Sequence, residues 1–443
     1  MAYKITRRNF IKTTAFSIAA MKTGPAIGQP GSANEKLNIA IIGVGGQGSY
    51  SYGNVRRENI VAIADVDSVR AGRPFAMLKP NERFTDYRVM LDKLQNSIDA
   101  VVVATPDHTH FHPSTMVMDL GKHLYLEKPM AHNVWEIRKL TELAAHKGVA
   151  TQLGMQRHTK PNMHRVTELI KAGAIGDVTE VHSWVSSDRG MYPRVPEQQE
   201  IPSTLDYDLW LGPVEHKPYD PKITPYGWRF WWDFGTGEAG NWGCHILDIP
   251  YDALDLDYPD HASATGPEPH AEMTTKDMHT QFNFPAKGNR KALKLHWYQA
   301  KQGPEILKEY GVSTKGANNF FIGTKGLLLC GFDTRTIFQK NASGEWAAVH
   351  THEDDMGFEM PEQTVPDSPG FHKEFLDACK GGSTPPTCNF GYSGPLSETV
   401  LLANAAYRAQ ASFDWDYKTM TCKGAPLAQA HIQPNYKKGW EIA

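Results

Sequence analysis

The chain has few cysteines, no long apolar run and no excess of charge of either sign. Five cysteines in 443 residues lack the paired spacing of a zinc site, and an odd number excludes a complete disulfide framework. No apolar stretch approaches the roughly 20 residues of a transmembrane helix. A formal net charge of −3, mixed along the chain, argues against nucleic acid as a partner. We therefore predict no membrane anchor, no nucleic-acid partner and no metal.

The first residues have the pattern of an export signal. Residues 6–12 read Thr-Arg-Arg-Asn-Phe-Ile-Lys, and a short apolar run follows over 13–21. This order is typical of a twin-arginine signal, an address read by the export machinery. An ordinary basic N-terminus is the alternative, and the absence of an Ala-x-Ala site leaves the cleavage point open. We predict that 1–35 is a signal and linker and that the protein is exported, to the periplasm or beyond.

The length predicts two domains, and the first has a regular rhythm. Between residues 36 and 155, short apolar runs alternate with helical patterns. Strands alternating with helices indicate a doubly wound parallel sheet in an α/β fold. The predicted strands span 37–42, 60–64, 100–104, 123–126 and 150–153, and the predicted helices span 46–57, 112–120 and 134–147.

The rhythm changes after residue 155. Strand-like runs then dominate, which predicts a second α/β domain over 156–443 with a large, mostly antiparallel open sheet. A stretch rich in Pro, Tyr and Asp, 191–225, predicts loops. A helix near 396–412 is expected to pack back toward the first domain.

A glycine-rich string follows the first predicted strand. It contains Gly43, Gly45, Gly46, Gln47 and Gly48 in the order Gly-Val-Gly-Gly-Gln-Gly. Alone, such a string is often only a turn, but here it joins a predicted strand to a predicted helix. In that context the glycines permit a tight turn and close approach to a pyrophosphate, which binds at the helix N-terminus. The string predicts a dinucleotide site.

Asp65 ends the second predicted strand, about 20 residues after the glycines, as a ribose-binding acid does. A carboxylate there hydrogen-bonds the adenosine hydroxyls and repels a 2′-phosphate. We therefore predict NAD, while Arg70 and Arg73 nearby leave NADP possible. The alternative role for Asp65 is that of a turn residue.

Three further strings follow strands of the same domain: Thr-Pro-Asp-His-Thr-His at 105–110, Gly-Lys-His at 121–123 and Leu-Glu-Lys-Pro at 126–129. In order and spacing they resemble the Gfo/Idh/MocA family of sugar and polyol oxidoreductases. Ile-Gly-Thr-Lys-Gly at 322–326 is similar to a turn in that family's second domain. The resemblance covers roughly residues 36–412. It implies a Rossmann domain, a C-terminal domain with an open sheet, catalysis between them, and a homo-oligomer.

The resemblance places Thr105, Pro106, His110, Glu127 and Lys128 at the cofactor. Lys128 would lie at the carboxyl end of a parallel strand, where such sheets bind ligands. Its ammonium group can stabilise negative charge on a reacting oxygen, and we expect Glu127 to position it by pairing. The alternative for His110 is to cap the following helix.

The general base is expected from the second domain. The segment from Asn241 to Asp248 resembles the family's Asp-x-x-x-His helix, with His245 as the residue that takes the hydroxyl proton. Its first position is Asn241 here, which can orient a hydroxyl but cannot accept a proton. We therefore assign catalysis to Lys128 and His245. A histidine merely packed within a helix is the alternative.

Aromatic residues precede this motif. Trp231 and Trp232 are candidates to stack on a sugar ring, and Arg229 is a candidate to bind its hydroxyls. Tyr192, in the long predicted loop, is a further candidate. A tryptophan-rich core is an equally good interpretation of the cluster.

The leading hypothesis is an NAD(P)-dependent oxidoreductase that acts on a CH–OH group of a sugar, polyol or glycoside and carries its own nucleotide. One alternative is a glycosidase that oxidises the ring transiently, eliminates the substituent and reduces the ring again. Another is a non-catalytic sugar or nucleotide sensor. The presence of both Lys128 and His245 argues against the sensor.

Overall fold

Six short parallel strands form the first sheet. A computed structural model describes residues 35–191, 199–299, 303–314 and 316–441. The strands pair in the order β3-β2-β1-β4-β5-β6, which is that of a Rossmann fold with a switch point between β1 and β4. They are β1 (Asn38–Ile42), β2 (Asn59–Ala64), β3 (Arg83–Phe84), β4 (Ala100–Val103), β5 (His123–Leu126) and β6 (Thr151–Leu153).

The strands form because their side chains are apolar on both faces. All four residues of β4 are fully buried, as expected for a strand covered by helices on both sides. The predicted parallel sheet is confirmed, and the bounds predicted for β5 are those observed. Helices of this domain span Gln47–Val55, Gly72–Met77, Tyr87–Leu94, Phe111–Asp119 and Val134–Lys147.

The second domain is built on a ten-stranded sheet. Among the pairings of its described strands, β7 with β10 is parallel and the others are antiparallel. The predicted open, mostly antiparallel sheet is therefore confirmed. The strands are β7 (Val178–Val185), β8 (His261–Thr265), β9 (Met278–Phe284), β10 (Leu293–Gln299), β11 (Asn319–Gly323), β12 (Leu327–Cys330), β13 (Arg335–Lys340), β14 (Trp346–Thr351), β15 (Ser412–Asp416) and β16 (Thr421–Lys423).

The order across this sheet is β14-β13-β12-β11-β7-β10-β9-β8-β15-β16. Burial along β9 alternates residue by residue, so one face packs on the core and the other is left partly open. Helices of the second domain span Pro161–Lys171, Tyr207–Leu211, Cys244–Ile246, Asp248–Leu254, Ile306–Glu309, Phe371–Cys379, Phe390–Ala409 and Pro426–Gln429.

The stretch predicted as loops, 191–225, contains the short helix Tyr207–Leu211. Asp206 caps it by accepting from the Leu209 amide at 3.0 Å. Trp210 of that helix belongs to a small aromatic cluster with Phe234. This cluster fixes the irregular segment against the side of the first domain.

The helix Phe390–Ala409 connects the two domains. Its buried Glu398 accepts a forked pair of hydrogen bonds from Arg138 Nε and Nη2, both at 2.7 Å. The sequence predicts a later start, at 396, because Pro395 lies inside this helix and a proline usually interrupts one. The structure places the helix against Val134–Lys147 of the first domain.

Within the described residues, no helix is both long and apolar enough to cross a bilayer. The five cysteines are all free thiols.

Candidate active site

A cleft of about 850 Å³ lies at the carboxyl edge of the parallel sheet. Its floor is formed by residues that directly follow β1, β2, β4 and β5, on either side of the switch point. Its roof comes from the second domain, with Arg229, Asn241 and His245. Parallel sheets bind ligands at this position because the strand ends and helix N-termini converge there.

The glycine loop leaves room for a diphosphate. A Cβ at Gly43, where φ is 79°, would lie 2.9 Å from the Ala104 carbonyl oxygen, and one at Gly48 would overlap the carbonyl oxygen of Gly43. Gly46 has φ of 56°, and only the Arg70 side chain comes within 4 Å of its Cβ position. The loop therefore packs tightly against the sheet at Gly43 and Gly48. It is open at Gly46, where the helix begins. These residues fit a dinucleotide cofactor.

Asp65 anchors this loop. Its Oδ2 accepts from the backbone amides of Val44 at 2.9 Å and Gly45 at 3.3 Å, and its Oδ1 accepts from Asp67 at 3.0 Å. Burial raises the pKa of Asp65, against the opposing effect of these amides. The carboxylate lines the cleft, so the predicted ribose contact is compatible with its position.

Thr105 and Pro106 line the cleft, whereas His110 lies behind them. The His110 ring is buried between two carbonyl oxygens, with Nδ1 2.7 Å from that of Pro129 and Nε2 2.8 Å from that of Thr105. It joins two cleft segments, and burial lowers its pKa. His110 was predicted to contact the cofactor. In the structure it lies behind the cleft residues and holds the segments of Thr105 and Pro129 together.

Glu127 does not form an ion pair with Lys128. Its Oε1 accepts from Ser51 at 3.1 Å, Gln156 at 2.9 Å and Gln47 at 3.4 Å. Burial raises the pKa of Glu127, and the charge of Lys128 opposes that rise. The side chain ties the first turn of the nucleotide-binding helix to the cleft floor.

Lys128 contacts the second domain instead. Its Nζ donates to the backbone oxygen and to the Oδ1 of Asn241, both at 2.9 Å, and the peptide bond to Pro129 is cis. Asn241 Nδ2 in turn donates to the buried Glu238 at 2.9 Å. Burial and then the charge of Arg229 lower the pKa of Lys128 to about 8. Lys128 remains mostly protonated at pH 7 and keeps one donor for a ligand.

His245 faces the same cleft. A π-helical turn, Ala239–Gly243, precedes it and holds Asn241; such turns are frequent at functional sites. The Nδ1 of His245 is buried and has no hydrogen-bond partner in the described chain. Burial, followed by the charges of Lys128 and Arg157, lowers the pKa of His245 well below its usual value. The imidazole is therefore neutral at pH 7 and able to accept a proton.

The predicted sugar platform is not on the cleft. Trp232 is buried, and its Nε1 donates to the His270 backbone oxygen at 3.1 Å; Trp231 packs on the small aromatic cluster. Trp228 and Trp242 line the cleft instead. Indoles at neighbouring positions of an irregular segment face different ways, which residue spacing alone does not reveal. Tyr192 and the arginines of the export signal lie outside the described residues.

Arg229, predicted to bind sugar hydroxyls, lines the cleft and is partly buried. It lies over the Trp228 ring at 4.4 Å, and its Nη1 is 3.8 Å from Asp107 Oδ1. Its Nε and Nη1 are buried without a hydrogen-bond acceptor among the described residues. Gly235 packs against the Arg229 backbone, where a Cβ would overlap it.

Metal-ligating side chains converge at one place in the described chain, away from the cleft. Glu180, His182 and His296 place one ligand atom each within 4.8 Å of one another on the ten-stranded sheet. The two imidazole rings are stacked, with centroids 4.6 Å apart, and Glu180 lies 3.2 and 2.9 Å from their Nε2 atoms. Residue spacing does not reveal this group, because His296 is distant along the chain from Glu180 and His182.

Several residues of the cleft were not predicted. Arg157, Glu238 and Trp440 line or support it but match no motif, and Asp107 lies within the string at 105–110 without an assigned role. Glu238 stands three residues before Asn241, so an acid one helical turn away was the available signal. Arg157 and Trp440 reach the cleft only through the packing of the whole chain.

Two family models match the chain. The oxidoreductase family with an NAD-binding Rossmann fold matches residues 37–155, and its C-terminal alpha/beta domain matches 178–288, together more than half of the chain. The chain belongs to the Gfo/Idh/MocA family. The predicted family and the predicted cofactor, NAD, are thereby confirmed.

Curated relatives include inositol 2-dehydrogenase 1 of Saccharopolyspora erythraea, 28% identical over 184 residues, which are 40% of this chain and 54% of that protein. The inositol 2-dehydrogenase of Rubrobacter xylanophilus is 30% identical over 156 residues, 34% of this chain and 44% of that protein. This chain thus spans about half the length of the curated relatives that it matches.

Solved structures share the fold across most of the chain. An inositol dehydrogenase homologue from Azotobacter vinelandii, complexed with NADH and myo-inositol, has a TM-score of 0.57 at 16% identity, covering 86% of this chain and 98% of that one. Levoglucosan dehydrogenase with NADH and L-sorbose has a TM-score of 0.55 at 16% identity, covering 86% and 99%. At 16% identity, the similarity to these structures establishes a shared fold.

Proposed function

We propose that this protein is an NAD-dependent oxidoreductase that acts on a CH–OH group of a sugar, polyol or glycoside. The observation that carries the proposal is the meeting of Lys128 and His245 in one cleft with the glycine loop. A cation and a neutral base beside a dinucleotide site suit removal of a hydroxyl proton and a hydride. The inositol and levoglucosan dehydrogenases named above support this substrate class.

The cofactor would be held by the glycine loop and by Asp65. The first helical turn after Gly46 offers free backbone amides to the diphosphate, and Arg70 stands beside them. When bound, NAD supplies the acceptor for the hydride that leaves the hydroxyl-bearing carbon.

Lys128 would hold the substrate oxygen. Two of its three donors are engaged by Asn241, which leaves the third for a hydroxyl or carbonyl oxygen in the cleft. As the hydroxyl loses its proton, the ammonium group stabilises the negative charge that develops on oxygen.

His245 would take that proton. Its pKa, lowered by burial and by two neighbouring cations, keeps it neutral before the step. The O–H electron pair then forms the C=O bond, the proton resides on the imidazole and the hydride leaves the carbon. Asn241 orients the lysine and does not relay the proton, because an amide is too weak a base to accept it.

The test is made on protein purified without added nucleotide. We expect denaturation to release NAD or NADH, and sugars or polyols to reduce the bound cofactor with a rise in absorbance at the nicotinamide band. Lys128→Ala should abolish the reduction while retaining the nucleotide. Cleavage of a glycoside without net reduction would favour the glycosidase, and protein that binds sugar but never reduces NAD would favour the sensor.

We also propose that the protein is exported by the twin-arginine route to the periplasm and that it forms a homo-oligomer. Support for export comes from Arg7 and Arg8 with their apolar run, and from the advantage of folding around the nucleotide first. A variant with both arginines changed to lysine should remain in the cytoplasm on fractionation. Light scattering on the purified protein tests the oligomer, which a mass of one chain would refute.

A further inference from the structure

Positive charge collects around the reacting pair of the cleft. Arg157, Arg229 and Lys160 line it together with Lys128. Lys160 is balanced, because its Nζ lies 2.5 and 2.7 Å from the carboxylate oxygens of Asp333. The partner of Lys128 is a neutral amide. Lys128 and Arg157 therefore have no carboxylate within ion-pair distance in the described chain, and Arg229 has one only at 3.8 Å.

The carboxylate nearest Arg229 is already engaged. Asp107 Oδ2 accepts from the backbone amide of Thr236 at 3.1 Å and from its hydroxyl at 2.6 Å. Its Oδ1 stays 3.8 Å from Arg229, beyond hydrogen-bond distance. The Nε and Nη1 of Arg229 donate no hydrogen bond within the described chain, so the long contact with Asp107 neutralises the guanidinium only in part.

Glu238, the other buried carboxylate of this wall, is engaged as well. It accepts from Ser187 at 2.6 Å, from Asn241 at 2.9 Å and from Arg189. Glu127 has its own three donors on the cofactor side. The long ion pair with Asp107 is therefore the one contact that these three carboxylates make with Arg229.

Arg157 is held in a similar way on the side of His245. Its guanidinium lies over the rings of Phe332 at 4.4 Å and Trp242 at 5.4 Å. Among the described residues it has no carboxylate within ion-pair distance. Stacking fixes the plane of the guanidinium and leaves its edge for a ligand.

The phosphates of the cofactor do not account for these cations. The diphosphate is expected at the helix that begins after Gly46, beside Arg70. Arg229 and Arg157 belong instead to the part of the cleft formed by the second domain, with Asn241 and Trp242. Their ligand is therefore on the substrate.

We propose that the substrate is a carbohydrate that carries a carboxylate, bound by Arg229 with support from Arg157 while Lys128 holds the reacting oxygen. A guanidinium presents two parallel donors that match a carboxylate, which an uncharged hydroxyl cannot fill. This inference rests on the proposed function, and it selects sugar acids over neutral sugars and polyols.

The first experiment measures binding to the NAD-loaded protein by calorimetry. Probes are glucuronate, galacturonate and gluconate, each paired with glucose or galactose. We expect at least one acid to bind about tenfold or more tightly than its neutral counterpart, a difference of about 1.4 kcal/mol. The preference should weaken with added salt. Equal or tighter binding of the neutral sugars would overturn the inference.

Substitutions test which residues cause the tighter binding of sugar acids. Arg229→Gln and Arg157→Gln should each reduce it. Lys373→Gln, which removes an exposed charge paired with Asp377 outside the cleft, should retain it. If Arg229→Gln fails to fold by circular dichroism, Arg157→Gln and the salt dependence decide. A preference that survives both arginine substitutions would contradict the proposed site.

Reduction of the bound NAD tests the proposed oxidoreductase activity independently of the preference for acids. Reduction of bound NAD by neutral sugars but not by acids would leave the oxidoreductase standing and remove the carboxylate from its substrate. If sugar acids bind but never reduce NAD, the proposed carboxylate site is supported and the proposed oxidoreductase activity is refuted.

Discussion

Glu238 determines which way the amide of Asn241 faces. A carboxylate only accepts hydrogen bonds, so the Nδ2 of Asn241 points to Glu238 and its Oδ1 points to Lys128, each at 2.9 Å. The hydrogen bond between Asn241 and Glu238 explains why asparagine suits this position, where the motif that the segment resembles has aspartate. A carboxylate at 241 would stand against the carboxylate of Glu238.

Asn241→Asp should therefore destabilise the protein. A partly buried carboxylate that faces the buried Glu238 in place of a hydrogen bond is expected to cost about 1–3 kcal/mol in the free energy of unfolding. Adding Glu238→Gln to Asn241→Asp should recover part of the loss, because the glutamine amide can donate to the new carboxylate. Urea unfolding of the wild type, both single variants and the double variant measures this coupling; additive effects would contradict it.

The oxidation rate should depend on pH through Lys128. Its pKa of about 8 means that the ammonium form is present below this pH and is lost above it. We expect kcat/KM to be flat near pH 7 and to fall as the pH rises through about 8. Lys128→Arg, slower but always charged, should lack this fall. A rate that rises through the same range would make the neutral lysine the base.

Replacing His245 should affect catalysis and not nucleotide binding. His245→Gln removes the proton acceptor, so kcat is expected to fall by about 10²–10⁴-fold. His352→Gln, at an exposed position far from the cleft, serves as the control. Stopped-flow reduction of the bound NAD gives the rate, and retention of NAD on a desalting column gives the binding. An unchanged rate would remove His245 from the mechanism.

The glycine loop should tolerate a methyl group at one position and not at another. Gly48→Ala would push a Cβ into the carbonyl oxygen of Gly43 and should abolish NAD binding. Gly53→Ala lies in the same helix with nothing within 4 Å, and it is expected to add up to about 1 kcal/mol of stability. Released nucleotide and melting temperature distinguish the two; equal NAD content would contradict the tight packing.

The buried ion pair between Arg138 and Glu398 should contribute more to the free energy of unfolding than an ion pair on the surface. Glu398→Gln leaves Arg138 without its buried counter-charge and is expected to cost about 3–5 kcal/mol. Asp377→Asn breaks an exposed pair with Lys373 and should cost only about 0.3–0.5 kcal/mol. Chemical unfolding measures both. Similar small losses would show that the buried pair contributes little net stability.

Local patterns were enough for the first domain. Apolar runs that end in Gly43, Asp65 and Glu127 predicted the parallel sheet and the edge at which the cleft lies. They were enough because a buried strand and a glycine-rich turn are encoded in a few adjacent residues. The assignment of His245 came instead from its resemblance to a helical motif of the family.

The substrate side of the cleft was predicted less well. Trp231 and Trp232 were chosen by their spacing, yet the irregular backbone presents Trp228 to the cleft. The expected contact of Glu127 with Lys128 is replaced by contacts across the domain boundary. Such contacts depend on how two domains meet, and no short segment of sequence contains that information.

Trp440 has a consequence for biosynthesis. It lines the cleft, its carbonyl oxygen lies 2.8 Å from His112 Nε2, and its ring lies under Arg88. The nucleotide pocket is therefore finished only when residue 440 has been translated and has folded back onto the first domain. A nascent chain that has completed only its first domain therefore lacks this wall of the cleft.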